Sequence, residues 1–278
     1  MSVIVPVKNE GANLRKVLPR LPQVHEVILV DGGSVDGSVQ VAREILPDVI
    51  VVPQTRRGKG NALACGFLVA SGDIIVMFDA DGSADPIEIP AFVQALVDGA
   101  DFAKGSRYAV GGASEDLTLV RSLGNSFLTM MANVAFETRF TDLCYGYNAF
   151  WRDLVPTLDL PSVALPEPIN GLLWGDGFEI ETLISSRFAA AKVKTTEVPS
   201  VERSRMHGQS NLRTFRDGAR VLLTIVAERR RMKLLGKRSE SANSISAPTF
   251  GRPHLDLVHP IPAYGEDRRA SSTAGTLR

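Results

Sequence analysis

Residues 72–86, Gly72-Asp73-Ile74-Ile75-Val76-Met77-Phe78-Asp79-Ala80-Asp81-Gly82-Ser83-Ala84-Asp85-Pro86, constrain this chain more than any other stretch. An apolar run of strand length, too short for an ordinary helix, ends in two carboxylates one residue apart and is then broken by glycine and proline. Such a buried strand delivers charge at its carboxyl end, where ligands bind in open α/β sheets. Paired oxygen donors there suit a hard divalent cation, the usual companion of a phosphate. The alternative is a strand-end turn in which Asp79 and Asp81 only cap the following helix. Residues elsewhere in the chain separate the two.

The same pattern recurs along the chain. Ser2 to Val7 reads as a strand, broken by Lys8-Asn9-Glu10-Gly11 before a helix carrying Leu14, Val17 and Leu18. Val24 to Val30 is a second strand, running into Asp31-Gly32-Gly33-Ser34-Val35-Asp36-Gly37, where Ser34 or Asp36 can cap a helix through Val41 and Ile45. Val49 to Val52 follows, then Arg56-Arg57-Gly58-Lys59-Gly60-Asn61 and a helix from about Ala62 to Ala70. After the strand with the Asp pair come a helix over Ile87 to Val97 and a fifth strand, Asp101 to Lys104. Strands alternating with helices predict βαβ units and a doubly wound, mostly parallel sheet.

Beyond Tyr108 the alternation stops. Leu117 to Phe136 is helical by its apolar spacing, Thr141 to Arg152 is an aromatic strand or loop, and Pro156 to Trp174, with four prolines, reads as a long loop of the kind that forms lids. Asp176 to Ile184 opens a helix, Lys192 to Val198 is a late strand, and Phe215 to about Leu235 is an amphipathic helix dense in arginine. Residues 236–278 have the composition of a disordered tail, and there is no internal repeat.

Composition closes several routes. With 278 residues, 44% of them hydrophobic, and 31 basic side chains against 31 acidic ones, the chain can bury a full core and is no general nucleic-acid binder. Cys65 and Cys144 lie in apolar surroundings without metal-ligand spacing or a disulfide framework, which fits a reducing cytoplasm. The first strand begins at Val3, leaving no room for a signal peptide, and no apolar run approaches the ~20 residues of a membrane span. The expectation is a cytoplasmic protein, soluble or peripheral on the inner face of the membrane. Gly58-Lys59 is no P-loop, having Pro53 at the upstream glycine position and Gly60 where Ser or Thr is required, and no Gly-x-Gly-x-x-Gly follows the first strand.

What remains is a set of acidic or amide-bearing turns after successive strands. Val5-Pro6-Val7-Lys8-Asn9-Glu10, Val30 to Gly37, Arg57-Gly58-Lys59-Gly60-Asn61-Ala62 and Asp79-Ala80-Asp81, in that order, resemble the motifs of family 2 glycosyltransferases. Gly105-Ser106-Arg107-Tyr108, Asp142 with Gly146 to Phe150, and Arg205 to Asn211 extend the resemblance to the branch of dolichyl-phosphate mannose synthases and polyprenyl-phosphate glucosyltransferases. It covers about residues 2 to 230 and implies a GT-A fold. Residues 1–108 would then be the nucleotide-sugar-binding half and 109–235 the acceptor half with the basic helix, in one compact domain.

The resemblance implies that Pro6, Asn9, Glu10, Asp31 and Ser34 meet the base and ribose of a nucleotide sugar. Asp79 and Asp81 would hold Mg²⁺ or Mn²⁺ against the diphosphate, and Lys59 would position the nucleotide. Arg107 would face a phosphate of donor or acceptor, while Arg205, His207 and Ser210 cover the leaving diphosphate. A hydroxyl acceptor needs a carboxylate base, for which Asp142, Asp176 and Glu179 are candidates with Glu181 beside them; a lipid phosphate, already anionic, needs none. Asp176 and Glu179 also suit the first turn of a helix as plain dipole partners.

The reading is therefore a metal-dependent transfer of a hexose from a UDP- or GDP-sugar to a polyprenyl phosphate, with the basic helix resting on an anionic membrane surface. The alternatives are a soluble transferase acting on a small hydroxylated or protein acceptor, retaining like glucosyl-3-phosphoglycerate synthase; a sugar nucleotidyltransferase; and a non-catalytic nucleotide-sugar binder.

Overall fold

The computed structural model describes residues 1–208 and 214–241, which fall within one compact unit, Met1–Ile245. Its strands are β1 (Ser2–Val7), β2 (Glu26–Asp31), β3 (Ile50–Pro53), β4 (Ile74–Met77), β5 (Phe102–Ser106), β6 (Ala113–Ser114), β7 (Asn148–Trp151), β8 (Thr195–Pro199) and β9 (Val201–Glu202). Its helices are α1 (Gly11–Val17), α2 (Ser38–Ile45), α3 (Lys59–Val69), α4 (Ile89–Val97), α5 (Leu119–Phe136), α6 (Ile180–Ala190) and α7 (Thr214–Ser241).

Seven strands form one sheet in the order β3-β2-β1-β4-β7-β5-β8, parallel except for β7, which runs antiparallel to both β4 and β5. Helices cover both faces, so strand side chains alternate between two cores rather than between core and water. Val3, Val5 and Val7 pack with Leu14, Val41 and Phe92 of α1, α2 and α4, whereas Ile4 turns the other way to Leu63 of α3 and Ile184 of α6. The chain winds from β1 outward through β2 to β3, then crosses to β4 on the other side of β1. The crevice beyond the carboxyl ends of β1 and β4 is thus the switch point at which such sheets bind ligands.

The aromatic segment resolves into β7, a fully buried strand inserted between β4 and β5. Phe150 meets Phe67, Phe102 and Phe188 edge to face, which makes this strand part of the core. The proline-rich loop is held at its base: Arg56 Nη1 donates to the carbonyls of Ser162 (2.8 Å) and Leu165 (3.0 Å), and Arg220 donates to that of Leu173 (3.1 Å). A third core joins α5 and α7 through Leu128, Ala132, Phe136, Val221 and Ile225. Helix α7 continues through Ser241, so residues 236–241 are helical rather than tail, an established helix adding one bond per residue fixed. Residues 242–278 lie outside the described residues.

Candidate active site at the carboxyl ends of β1 and β4

Strand β4 is buried from end to end, and the chain leaves it through Phe78, whose N–H still donates to Ile4 (3.0 Å). The two carboxylates after it enter a cavity of about 780 Å³, lined also by Pro6, Glu10, Lys59, Arg107, Glu181 and Arg205. Capping falls to another residue: Asp85 Oδ1 accepts from Ile87 N (3.2 Å), while Asp81 Oδ1 accepts only within its own turn, from Ser83 N (2.9 Å) and Oγ (2.6 Å). Asp79 and Asp81 are therefore not helix caps.

Each of the pair meets a cation. Lys59 Nζ lies 2.8 Å from Asp79 Oδ1 and 2.8 Å from Glu181 Oε1, and Arg205 bridges Asp81 Oδ2 and Glu10 Oε1 at 2.8 Å each. Burial pulls the Lys59 ammonium down, but Asp79 and Glu181 overcome it and hold it above its ordinary value. Burial pushes the Glu181 carboxyl up, and Lys59 only partly offsets that. Among the described residues no group of three His, Cys, Asp or Glu side chains could hold a metal alone. Two hard oxygen donors on a cavity wall do fit Mg²⁺ or Mn²⁺ whose remaining ligands are diphosphate oxygens and water. Space is kept beside them by Gly146, where a Cβ would stand 2.8 Å from Lys59 Nζ, 3.1 Å from Glu181 Oε1 and 3.4 Å from Asp79 Oδ2.

Lys59 owes its place to a turn pressed onto the segment leading into α6. Gly60 N and Asn61 N donate to the Asp176 carbonyl at 2.8 and 3.3 Å, and a Cβ on Gly60 would come within 1.8 Å of Gly175 O. The fork of Arg56 closes the same joint on Asp176, Nε to Oδ2 at 2.7 Å and Nη2 to Oδ1 at 2.9 Å, with both side chains out of solvent. Asp176 is thus a clamp and not a cavity carboxylate. Glu179 is also buried; it accepts from Gly175 N (2.8 Å) and pairs with Arg220 of α7 (2.6 Å), whose guanidinium lies 5.7 Å from the Trp174 ring.

Asp142 is likewise removed from the cavity, fully buried beneath Arg107 and also accepting from Asn125 Nδ2 (3.0 Å). Burial pushes its carboxyl up, but the Arg107 guanidinium overcomes that and keeps it below the usual carboxylate range. Arg107 itself lines the cavity, pairs with Glu202 (3.0 Å) and covers the Tyr145 ring. The expected catalytic set therefore divides: Arg107 reaches the cavity, whereas Asp142, Asp176 and Glu179 lie off its lining, each bound to an arginine. Cys144 also lines the cavity, where burial raises its thiol to about 12.

Asn9, Asp31 and Ser34 weld the ends of β1 and β2 together beside Pro6 and Val7. Asn9 N donates to Ser34 Oγ (2.9 Å), Val35 N to Asn9 Oδ1 (2.9 Å) and Ser34 N to Asp31 Oδ1 (3.1 Å). Ser34 does not cap α2; Asp36 accepts from Ser38 N (3.0 Å) and from Gly11 N at the start of α1 (2.9 Å). His207 is exposed and contributes its carbonyl, which accepts from Asn13 (3.2 Å). Ser210 lies outside the described residues.

The cavity takes from α5, its approach and α7 the apolar Leu117, Val120, Leu128 and Val221 together with Asp116, Arg121, Asn125 and Asp217. From there Leu119, Val120, Leu123, Phe127, Met130 and Val134 run along α5 as one solvent-exposed stripe. The positions recur at helical spacing, but they share the helix with a second, buried set, and the sequence reading did not separate the two. It named Glu181 only as an available carboxylate, not as the partner of Lys59, and passed over Arg56 and Arg121. On α7, Leu222 and Ile225 pack inward, and Arg231 bonds Asp159 (2.6 Å). Among the described residues no helix is long and apolar enough to cross a membrane.

The family model described as glycosyl transferase family 2 matches residues 2–158. Dolichol-phosphate mannosyltransferase of Pyrococcus furiosus is 30% identical over 225 residues, 77% of this chain and 59% of that one. Polyprenol monophosphomannose synthase of Mycolicibacterium smegmatis is 33% identical over 173 residues, 58% of this chain and 65% of that one. The chain thus spans less than two thirds of the length of these two relatives. Undecaprenyl-phosphate mannosyltransferase of Micrococcus luteus is 28% identical over 221 residues, 75% of this chain and 86% of that one. Among solved structures, glucosyl-3-phosphoglycerate synthase from Mycobacterium tuberculosis, in complex with Mn²⁺, UDP-glucose and phosphoglyceric acid, superposes with a TM-score of 0.62 at 22% identity, covering 82% of this chain and 79% of that one. That likeness shows the fold, a GT-A arrangement.

Proposed function

Because the chain belongs to glycosyl transferase family 2, we propose that it transfers a hexose from a UDP- or GDP-linked sugar to a polyprenyl phosphate. The observation that carries this reading is the mixed lining of one cavity: it gathers Asp79, Asp81, Lys59 and Arg205, and it also takes Leu117, Val120, Leu128 and Val221, with the exposed stripe of α5 continuing from Val120. A donor diphosphate suits the first set, and an apolar chain carrying a phosphate suits the second. The names of the relatives, which couple mannosyl transfer to dolichol, polyprenol and undecaprenyl phosphates, support the same pairing.

Asp79 and Asp81 would hold Mg²⁺ or Mn²⁺, which when bound neutralises charge on the departing diphosphate. The complexes of the synthase from Mycobacterium tuberculosis with Mn²⁺ or with Mg²⁺ and UDP support a divalent ion here. Lys59 and Arg205 add positive charge at the same phosphates through charge-assisted hydrogen bonds. Arg107, held by Asp142, and Arg121 present guanidinium groups on the acceptor side. Of the seven carboxylates among the described residues that line the cavity, Glu10, Asp79, Asp81, Asp116, Glu181 and Glu202 are each engaged by a cation, and Asp217 of α7 is the seventh. An anionic phosphate acceptor requires no base. Pro6 and Glu10, with Asn9, Asp31 and Ser34 behind them, would receive the base and ribose. Residues 1–108 would serve the donor, residues 109–235 the acceptor, and the exposed apolar and basic side chains of α5 and α7 would meet an anionic membrane surface.

The test is a donor screen with labelled UDP-glucose and GDP-mannose in Mn²⁺, offering polyprenyl phosphate in anionic vesicles against a water-soluble hydroxyl acceptor. Label passing into the lipid phosphate with one donor is the expected result. Transfer to the soluble acceptor as fast as to the lipid would replace the lipid reading.

A further inference from the structure

Three carboxylates on the approach to α6 and in its first turn each hold a different cation: Asp176 takes Arg56, Glu179 takes Arg220 and Glu181 takes Lys59. Only the last pair lies on the cavity. Lys59 shares one ammonium between carboxylates of unlike standing, the Asp79 side chain being 35% exposed and that of Glu181 only 6%. Asp79 follows β4 and lines the cavity beside Asp81, whereas Glu181 belongs to α6, whose approach is bonded to the Lys59 turn through Gly60 N and Asn61 N.

We infer that Glu181 is a positioning residue: it holds Lys59 at the cavity when Asp79 turns to the cation, leaving the ammonium aimed at the donor diphosphate. A divalent ion on Asp79 competes for the oxygens that hold Lys59 and repels the ammonium itself. A lysine on a flexible four-carbon stem, with no second anchor, would then leave for water. Glu181 supplies that anchor from the same rigid joint that carries Lys59, out of reach of solvent. It also lies in the first turn of α6, where a carboxylate is favourable to any helix. The inference rests on the metal and donor reading above, and the experiment separates it both from that reading and from a merely helix-stabilising role.

Calorimetric binding of Mn²⁺–UDP and Mn²⁺–GDP, without acceptor, is compared for the wild type, Glu181→Gln, Lys59→Met, the double variant and Asp81→Asn, each checked for its melting midpoint. Glu181→Gln should weaken binding of the preferred nucleotide about tenfold, the scale of one charge-assisted contact, and should add less than about twofold in the Lys59→Met background. Glu181→Asp, which keeps the charge but retracts it by one methylene, should recover part of the loss, and it carries the test if Glu181→Gln does not fold. Binding unchanged in Glu181→Gln, or in Glu181→Asp where Glu181→Gln does not fold, or equal losses with and without Lys59, overturns the positioning role even where Asp81→Asn abolishes binding. If the wild type binds neither complex, the donor reading falls and the inference falls with it.

Discussion

Arg107 lies along Asp142 as a fork, Nε 2.7 Å from Oδ2 and Nη2 3.0 Å from Oδ1, with its carbon 4.9 Å from the centre of the Tyr145 ring. The carboxylate faces away from the cavity and the guanidinium faces into it. An aspartate in this setting orients a cation and is spoken for as a base.

Asp142→Asn should therefore destabilise the fold by about 3 kcal/mol at neutral pH, the low end of the cost of breaking a buried ion pair, because Glu202 still pairs with the guanidinium. Because the folded carboxyl titrates below its ordinary value, its contribution is complete above about pH 4 and fades as pH falls through the depressed folded value. Urea unfolding of wild type and variant should show a gap that narrows on acidification below pH 4. A gap that widens there would mean that the pair is not what holds the site.

Asp79→Asn and Asp81→Asn keep side-chain volume while removing the charge that would hold the cation. Mn²⁺ binding should be lost and transfer should fall by about two orders of magnitude. Stability should change by no more than about 1 kcal/mol, since both carboxylates sit in partly exposed pairs. Full activity in excess chelator would refute the assignment.

Gly60→Ala places a methyl 1.8 Å from Gly175 O, a backbone atom with little freedom to withdraw. The joint must open, taking the hydrogen bonds to the Asp176 carbonyl and the aim of Lys59 with it. A loss of more than about 2 kcal/mol in unfolding free energy, with weaker nucleotide binding, is the expected outcome. Wild-type affinity in this variant would show that the turn is not held by close approach.

Attachment to anionic vesicles should depend on Arg229, Arg230 and Lys233 of α7; Arg231 is not in this set because it bonds Asp159. At about 1 kcal/mol each, replacing the three by glutamine should lower partition roughly 100-fold at low salt. Leu123→Ser with Phe127→Ser, on the exposed face of α5, should weaken it further without changing nucleotide binding. Co-sedimentation that is equal for all variants would argue against a membrane face.

Much of this molecule was legible in one dimension. Strand-length apolar runs ending in Asp31 and Asp79, each followed by a helical pattern, determined a parallel sheet with its chemistry at the carboxyl ends, because period and turn chemistry are local properties of the chain. The Asp pair was legible from its turn, Lys59 and Arg205 only from the resemblance, and they meet in one cavity. What each carboxylate does was decided only by tertiary packing. Asp142, Asp176, Glu179 and Glu181 look alike in the sequence, but Arg107, Arg56, Arg220 and Lys59, from 35 to 122 residues away in the chain, select one apiece. Insertion of β7 between β4 and β5, and the exposed face of α5, are of the same kind. Spacing tells which residues share a face, whereas what covers that face depends on chain segments brought near by the fold, and a buried charge takes its role from the partner that neutralises it.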